Sequence, residues 1–297
     1  MAVTAKGPDA TTIDDLRAEV EAFVRDHAGN RFPGSDRPYF EAPVLGVAAA
    51  DDPIFHLYKQ VVGPFHGTPR ELLPSAVSVV SWVLPIARAT RRSNRPERAL
   101  PSRPWAETRS FGEPFNDELR RHVQGWLRAR GHAALAPVVA PGWSRVDQGP
   151  MGRASTWSER HAAYACGLGS FSLNDGLITI RGIAHRLGSV VTALPLPPTS
   201  EGRPGVRDHC AFYGDGSCTR CIDRCPAGAI TEAGHDKEKC NVYLETVTRA
   251  TLAGPWGTPV PGCGLCQTKV PCEDRIPPRV KVPAAPAAPR PPPSAGR

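Results

Sequence analysis

The stretch that most constrains this chain is DHCAFYGDGSCTRCIDRCPAGAI, starting at Asp208, because it fixes where metal chemistry must sit before any helix or strand is assigned. Its centre, Cys218-x2-Cys221-x3-Cys225-Pro226, is the second half of the bacterial ferredoxin run C-x2-C-x2-C-x3-C-P. In that run the cysteine before proline ligates the other cluster of a pair, so a second group of thiols is expected downstream. Cys240, Cys263, Cys266 and Cys272 supply it. Together with Cys210, Cys218, Cys221 and Cys225 they make the eight thiolates that two [4Fe–4S] cubanes require. The crossing-over rule puts Cys210, Cys218, Cys221 and Cys272 on one cluster, and Cys225, Cys240, Cys263 and Cys266 on the other. Two positions depart from the simple pattern. Asp215 occupies the first-cysteine place, so Cys210 must loop in, and Val270 stands where the thiol has moved to Cys272.

Other readings of the thiols explain less. The N-terminal MAVTAKGPDATTIDD does not resemble a signal peptide, so the expected location is the reducing cytoplasm, where disulfides are disfavoured. One zinc site from Cys218, Cys221, Cys263 and Cys266 would leave four cysteines and the Cys-Pro without a role. Free buried thiols do not account for eight gathered in one segment.

The formal charge of +7 treats cysteines as neutral. Eight thiolates and two oxidised cubanes together add about −4, leaving a holoprotein near +3, which is weak support for nucleic-acid binding. No apolar run approaches the ~18 residues of a membrane span, so no membrane association is expected. Of the 33 prolines, 12 lie in Arg91–Pro114 and the tail Pro277–Arg297, and the tail is expected to be disordered.

Apolar spacing predicts a helix over Thr12–His27, and residues 30–73 read as loops with short helices. Ala76–Leu84 reads as a buried strand, and Asn116-Asp117 as the cap of a helix running to Arg130. A strand at Ala134–Val139 completes a strand–helix–strand order with crossover connections. Thr156-x-x-Glu159 has the form of a capping box, Asn174-Asp175-Gly176 of a hairpin turn, and Gly188–Leu194 of a further strand. Cys166 reads as a small buried residue.

SERHAAYACGLGSFSLNDGLIT, then HRLGSVVTALPLP, then the double cysteine array, resembles the epoxyqueuosine reductase-like family, which is related to reductive dehalogenases. The matching residues are Glu159, Arg160, Ala163, Cys166, Gly167, Leu168, Gly169 and the Gly188-Ser189 pair, with cysteine at 166 where alanine is usual. Cys240, followed by Tyr243-Leu244-Glu245, matches the family's isolated cysteine. The resemblance covers about residues 75–276. It implies a nitroreductase-like α/β cobalamin-binding domain over residues 1–200, then a two-cluster ferredoxin-like domain over 201–276. It further implies that the clusters, fed by a low-potential donor such as ferredoxin or flavodoxin, reduce cobalamin, which acts on an organic substrate.

On that resemblance Gly167, Gly169 and Gly188 would allow close approach of a bulky cobalamin, with Arg160, His161 and Ser189 as further cofactor contacts and Tyr164 near His161. The family's catalytic aspartate falls at Arg153, and the nearest acid upstream, Asp147, is the candidate proton donor. Relatives carry a C-terminal helical-repeat region associated with tRNA recognition. This chain ends soon after its last cysteine, so a small molecule is the expected substrate and tRNA is not. A di-cluster electron carrier without its own substrate, and an α/β domain binding flavin, are the alternatives.

Overall fold

The computed structural model describes residues 11–150 and 152–278. In chain order the elements are α1 (Ile13–Asp26), β1 (Val44–Ala49), α2 (Ile54–Val61), α3 (Pro69–Leu72), β2 (Ser78–Pro85), α4 (Arg88–Asn94), α5 (Arg103–Ala129) and β3 (Ala134–Leu135). Then come β4 (Arg145–Gly149), β5 (Gly152–Ser155), α6 (Glu159–Ala165), β6 (Gly169–Phe171), β7 (Leu177–Thr179) and β8 (His185–Thr192). The cysteine region adds α7 (Ala211–Asp215), α8 (Arg220–Asp223), β9 (Ile230–Thr231), β10 (Gly234–His235), α9 (Lys237–Tyr243) and α10 (Ala250–Trp256).

A sheet ordered β1-β2-β8-β3 organises the first 200 residues. Every neighbouring pair is antiparallel. Since β2 and β3 each run antiparallel to β8, they are parallel to one another, and α5 makes the crossover between them. β2 is buried along its whole length, which is why it reads as an unbroken apolar run. Alternation still sorts its side chains. Val80, Trp82 and Leu84 pack with Leu16 and Val20 of α1 and with Phe115, Leu119 and Val123 of α5. Val79 and Val83 face Tyr58 of α2 and Ala162, Ala163 and Cys166 of the α6 segment. Cys166 is 1% exposed and its Sγ lies 3.4 Å from the Val79 carbonyl oxygen.

Four expectations need correcting. The loop read over 30–73 contains β1, a short buried edge strand with little alternation of its own. The helix expected from Asn116 starts far earlier, at Ser102, whose Oγ accepts from Trp105 N, and it runs through Pro114. Its apolar stripe continues on both sides of that proline, and packing offsets the one lost hydrogen bond. Asn116 is a core residue: it accepts from Trp82 Nε1 at 3.0 Å and donates to the Leu187 carbonyl at 2.9 Å.

The capping box at Thr156 is absent. The helix opens at Ser158, whose Oγ lies 2.8 Å from His161 Nδ1 instead of capping, and Glu159 turns to Arg120 (Nε–Oε1 3.0 Å), a charge-assisted bond stronger than a neutral cap. The strand at Ala134–Val139 stops after two residues, where Pro137 starts a 3-10 turn. The hairpin turn at Asn174–Gly176 joins β6 to β7 in register, with Asp175 at φ 59°. The expectation for the tail lies outside the described residues beyond 278.

Candidate metal centres and the adjoining recess

The eight cysteines lie in a region of short elements and loops folded against the β6–β7 turn and the start of β8. Cys210 precedes α7, Cys221 lies on α8, Cys240 on α9, and Cys263 precedes a 3-10 turn at Leu265–Gln267 that contains Cys266. Cys210, Cys221, Cys225, Cys266 and Cys272 pack with Leu173, Ile178, Ile183, Ile230 and Val270, so apolar side chains from both halves of the chain surround them. Backbone and amide bonds fix this docking. Asn174 Nδ2 donates to the Cys266 carbonyl at 2.9 Å, Ile183 N to Cys272 O at 2.8 Å, and Asn94 Nδ2 to Thr268 Oγ1 at 3.1 Å. Gly264, at φ 65°, lies so close against the Trp105 ring that no side chain fits there.

Electrostatic coupling sorts the thiols into two sets. Cys221 is pushed up to about 12 by burial and then by Cys210 and Cys218. Cys272 is raised by burial and by Cys210, Cys221 and Cys218. Burial likewise pushes Cys263 up to about 12, with Cys240 and Cys225 as its thiol neighbours. Cys266 is raised by burial, then by Cys263 and Cys240, and also by Cys221 and Cys225, which places it where the two sets adjoin. Each thiolate destabilises its neighbours, so four ionise together only around a cationic core. Among the described residues, no three His, Cys, Asp or Glu side chains converge tightly enough for one metal ion. A tetrahedral zinc would hold its sulfurs roughly 3.8 Å apart, given Zn–S bonds of about 2.3 Å. Two quartets of thiols are the donor number and type that two cubanes use, a core with four separate metal corners each.

Beside the cysteines lies a charged recess. Arg160 is exposed, yet burial lowers its guanidinium, and its Nη1 donates to the Asp175 carbonyl at 2.6 Å. Glu113 and Arg186, paired with each other, are 28% and 31% exposed. Against burial, which pushes it up, Arg186 and Arg120 hold the Glu113 carboxyl down to about 2. These charges thus reach solvent and are desolvated by the surrounding protein at the same time. Asp175 gathers charge from both halves of the chain: His235 Nδ1 lies 3.3 Å and Lys237 Nζ 3.9 Å from its Oδ2. Arg160 and Lys237 are the cations of this cluster that would meet a phosphate-bearing cofactor, beside the Asp175 and Glu113 carboxylates.

The nominated cofactor residues divide. Arg160 and His161 belong to this recess. A side chain at Gly188 would strike the Trp82 ring, one at Gly169 the Ile178 backbone, and one at Gly167 (φ 74°) the Thr199 carbonyl, so the close approach these glycines permit is to protein. Ser189 is fully buried, accepting from Trp157 Nε1 at 2.9 Å and donating to Glu159 Oε2 at 2.5 Å. Tyr164 Oη donates to the Pro204 carbonyl at 3.1 Å. Asp147 stands on the β4–β5 hairpin, 75% exposed and 3.2 Å from Arg153 Nη2. Gly152 of the same hairpin lies against Lys237, which puts the hairpin at the edge of the recess. Asp175, Lys237 and Glu113 were missed in the sequence, where each reads as an ordinary surface charge.

Three buried histidines set an acid limit. His66 (about 4), His161 (about 3) and His185 (about 4) are all pushed down from 6.5, chiefly by burial. His66 Nδ1 and His185 Nδ1 are buried without a partner. Lysine and arginine neighbours reinforce the effect: Lys59 at His66, Arg160 and Lys237 at His161, Arg186 and Arg160 at His185, with Glu71 and Asp175 opposing at the first two. Their folded values lie below the unfolded one, so the unfolded chain binds more protons between pH 6.5 and about 4. Stability is complete above 6.5 and falls as pH drops through that window, by up to about 4 kcal/mol per pH unit for three groups. Thermal unfolding followed by far-UV circular dichroism should therefore shift steeply downward from pH 7 to 5, less so in His185→Gln. An unchanged melting temperature across that range would refute the account.

No family model matches the chain. Curated relatives do. Epoxyqueuosine reductase of Bacillus cereus is 31% identical over 210 residues, covering 68% of this chain and 50% of that protein. The enzyme of the same name from Synechocystis sp. is 32% identical over 218 residues, covering 70% of this chain and 66% of that protein. The chain thus spans about half the length of the first of these relatives. Among solved structures, a selenomethionine-labelled epoxyqueuosine reductase superposes with TM-score 0.50 at 19% identity, over 89% of this chain and 68% of that one, and so shares its mixed α/β fold. Another, with a TM-score of 0.47 at 20% identity over 88% of this chain and 64% of that one, was solved with an epoxyqueuosine-modified stem loop of tRNA-Tyr. The expectation that tRNA is not a substrate is corrected by the curated relatives, which carry the name epoxyqueuosine reductase. It leaned on where the chain ends, which decides nothing about the substrate. Among the described residues no helix is long and apolar enough to cross a membrane.

Proposed function

The chain is a homologue of the epoxyqueuosine reductases across 68% of its length, and on that premise we propose that it is an iron–sulfur reductase of the reducing cytoplasm. Residues 201–276 form a ferredoxin-like module with two [4Fe–4S] clusters, and residues 1–200 form the α/β domain that holds cofactor and substrate. The observation that carries this reading is the sorting of eight cysteines into two adjoining sets, docked through Asn174 and Ile183 beneath the recess of Arg160, Glu113 and Asp175. Electron transfer falls steeply with distance, and fusion of the two modules keeps donor and reacting centre close.

Cobalamin held in the recess would supply the strongly reducing metal centre that the reduction of a carbon–oxygen bond needs. The chain's own residues do the rest. Arg160 and Lys237 neutralise anionic groups entering the recess. Asp175 holds both cations in place from the β6–β7 turn. Asp147, on the β4–β5 hairpin, would deliver a proton from solvent to the reduced product.

The test is metal content and turnover on protein purified without oxygen and reconstituted with iron, sulfide and hydroxocobalamin. About eight irons and one cobalt per chain, with conversion of an epoxyqueuosine-bearing tRNA stem loop under dithionite, is the expected result. Asp147→Asn should slow that conversion at least about 100-fold while iron and cobalt stay unchanged. Zinc in place of iron would refute the reading, and eight irons without cobalt or turnover would make the chain an electron carrier.

A further inference from the structure

Arg224 has an unusual environment for a cation. It stands directly before Cys225, so the backbone holds it beside the second cysteine set. Its guanidinium meets five acceptors, all neutral. Nε donates to the carbonyls of Leu265 at 3.2 Å and Thr268 at 3.1 Å, and Nη1 to that of Glu97 at 2.6 Å. Nη2 donates to Asn94 O at 3.2 Å and Thr268 Oγ1 at 3.4 Å. The nearby carboxylate, Glu273, is 3% exposed and already bound at 2.8 Å by Arg95, with Arg91 at 3.8 Å. Cys263 leads the groups whose negative charge acts on Arg224, and Cys266 is also among them. A cation fixed by dipoles alone, with thiolates as its nearest uncommitted anions, is a counter-ion awaiting its charge.

We infer that Arg224 is the counter-charge of the cluster held by Cys225, Cys240, Cys263 and Cys266, and that it sets that cluster's reduction potential. This rests on the two-cluster reading above. A cluster becomes more negative when it takes one electron, here from dithionite, and a fixed neighbouring cation favours the reduced form. The same five bonds span Asn94 and Glu97 after α4 and the 3-10 loop of the cysteines, so the charge cannot swing away when the electron leaves. Charge and position are separable by substitution. Arg224→Gln removes the charge, and Arg224→Lys keeps it while losing the fork of donors.

The experiment is an EPR-monitored redox titration of the anaerobically purified holoprotein, with the cluster's signal assigned as the one lost in Cys263→Ser. Arg224→Gln should disfavour reduction of that cluster at least tenfold, a downward shift of about 59 mV for one electron. The other cluster should stay within about threefold, and Arg224→Lys should keep both there. An unshifted midpoint in Arg224→Gln, or an equal shift in Arg224→Lys, overturns the inference. Should the glutamine variant fail to take up iron, the lysine variant decides. Full iron with a midpoint near the parent's supports the inference, and a lost cluster or a tenfold shift overturns it. A parent protein with no EPR signal from two clusters would instead overturn the two-cluster reading.

Discussion

Serine at Cys225 is expected to remove one cluster and leave the other intact, and serine at Cys221 to do the reverse, although one helical turn of sequence separates them. Cys221 acts on Cys272 together with Cys210 and Cys218, whereas Cys225 acts on Cys263 together with Cys240. Each variant should retain roughly half of the parent's iron and one of its two reduced-state EPR signals. Substrate reduction should fall to background in both, because an electron path broken at either cluster delivers nothing. Loss of the same signal in both variants would refute the division of ligands. Full iron in both would refute the ligands themselves.

The second large effect is expected at Arg120, far from any cysteine. Its side chain is 1% exposed and joins three elements. Nε meets Glu159 at the start of α6, Nη1 meets Glu113 at 2.9 Å and Asp117 at 2.6 Å on its own helix, and Nη2 donates to the Leu187 carbonyl of β8 at 2.7 Å. Arg120→Ala should cost about 3 kcal/mol, since it leaves the largely enclosed Glu159 carboxylate without its cation. For a domain of this size that lowers the melting temperature by roughly 10 °C. Arg120→Met combined with Glu159→Gln should recover part of the loss, because the double change removes a buried charge as well as its partner. A single alanine variant that melts within about 2 °C of the parent would show that water, not protein, satisfies these carboxylates.

The Cys-Pro spacing alone pointed to metal chemistry at the cysteines, because ligand spacing is a local property: a C-x2-C turn brings two sulfurs to one centre whatever surrounds it. Local signals also gave α1, β2, the β6–β7 turn and β8, each with its own apolar period or turn residues. What sequence could not give was any feature in which a distant partner outbids a local preference. Glu159 has the spacing of a cap and is taken by Arg120 instead, while Asn116 has the chemistry of a cap and bonds the indole of Trp82. Pro114 sits inside a helix whose buried stripe outweighs it. Gly167, Gly169 and Gly188 have the smallness a cofactor would need, and protein fills the space. The recess was illegible for the same reason. Arg160, Glu113, Asp175 and Lys237 are scattered along the chain: packing of α5, α6 and the β6–β7 turn gathers the first three, and docking of the cysteine region adds Lys237, where protein desolvates them.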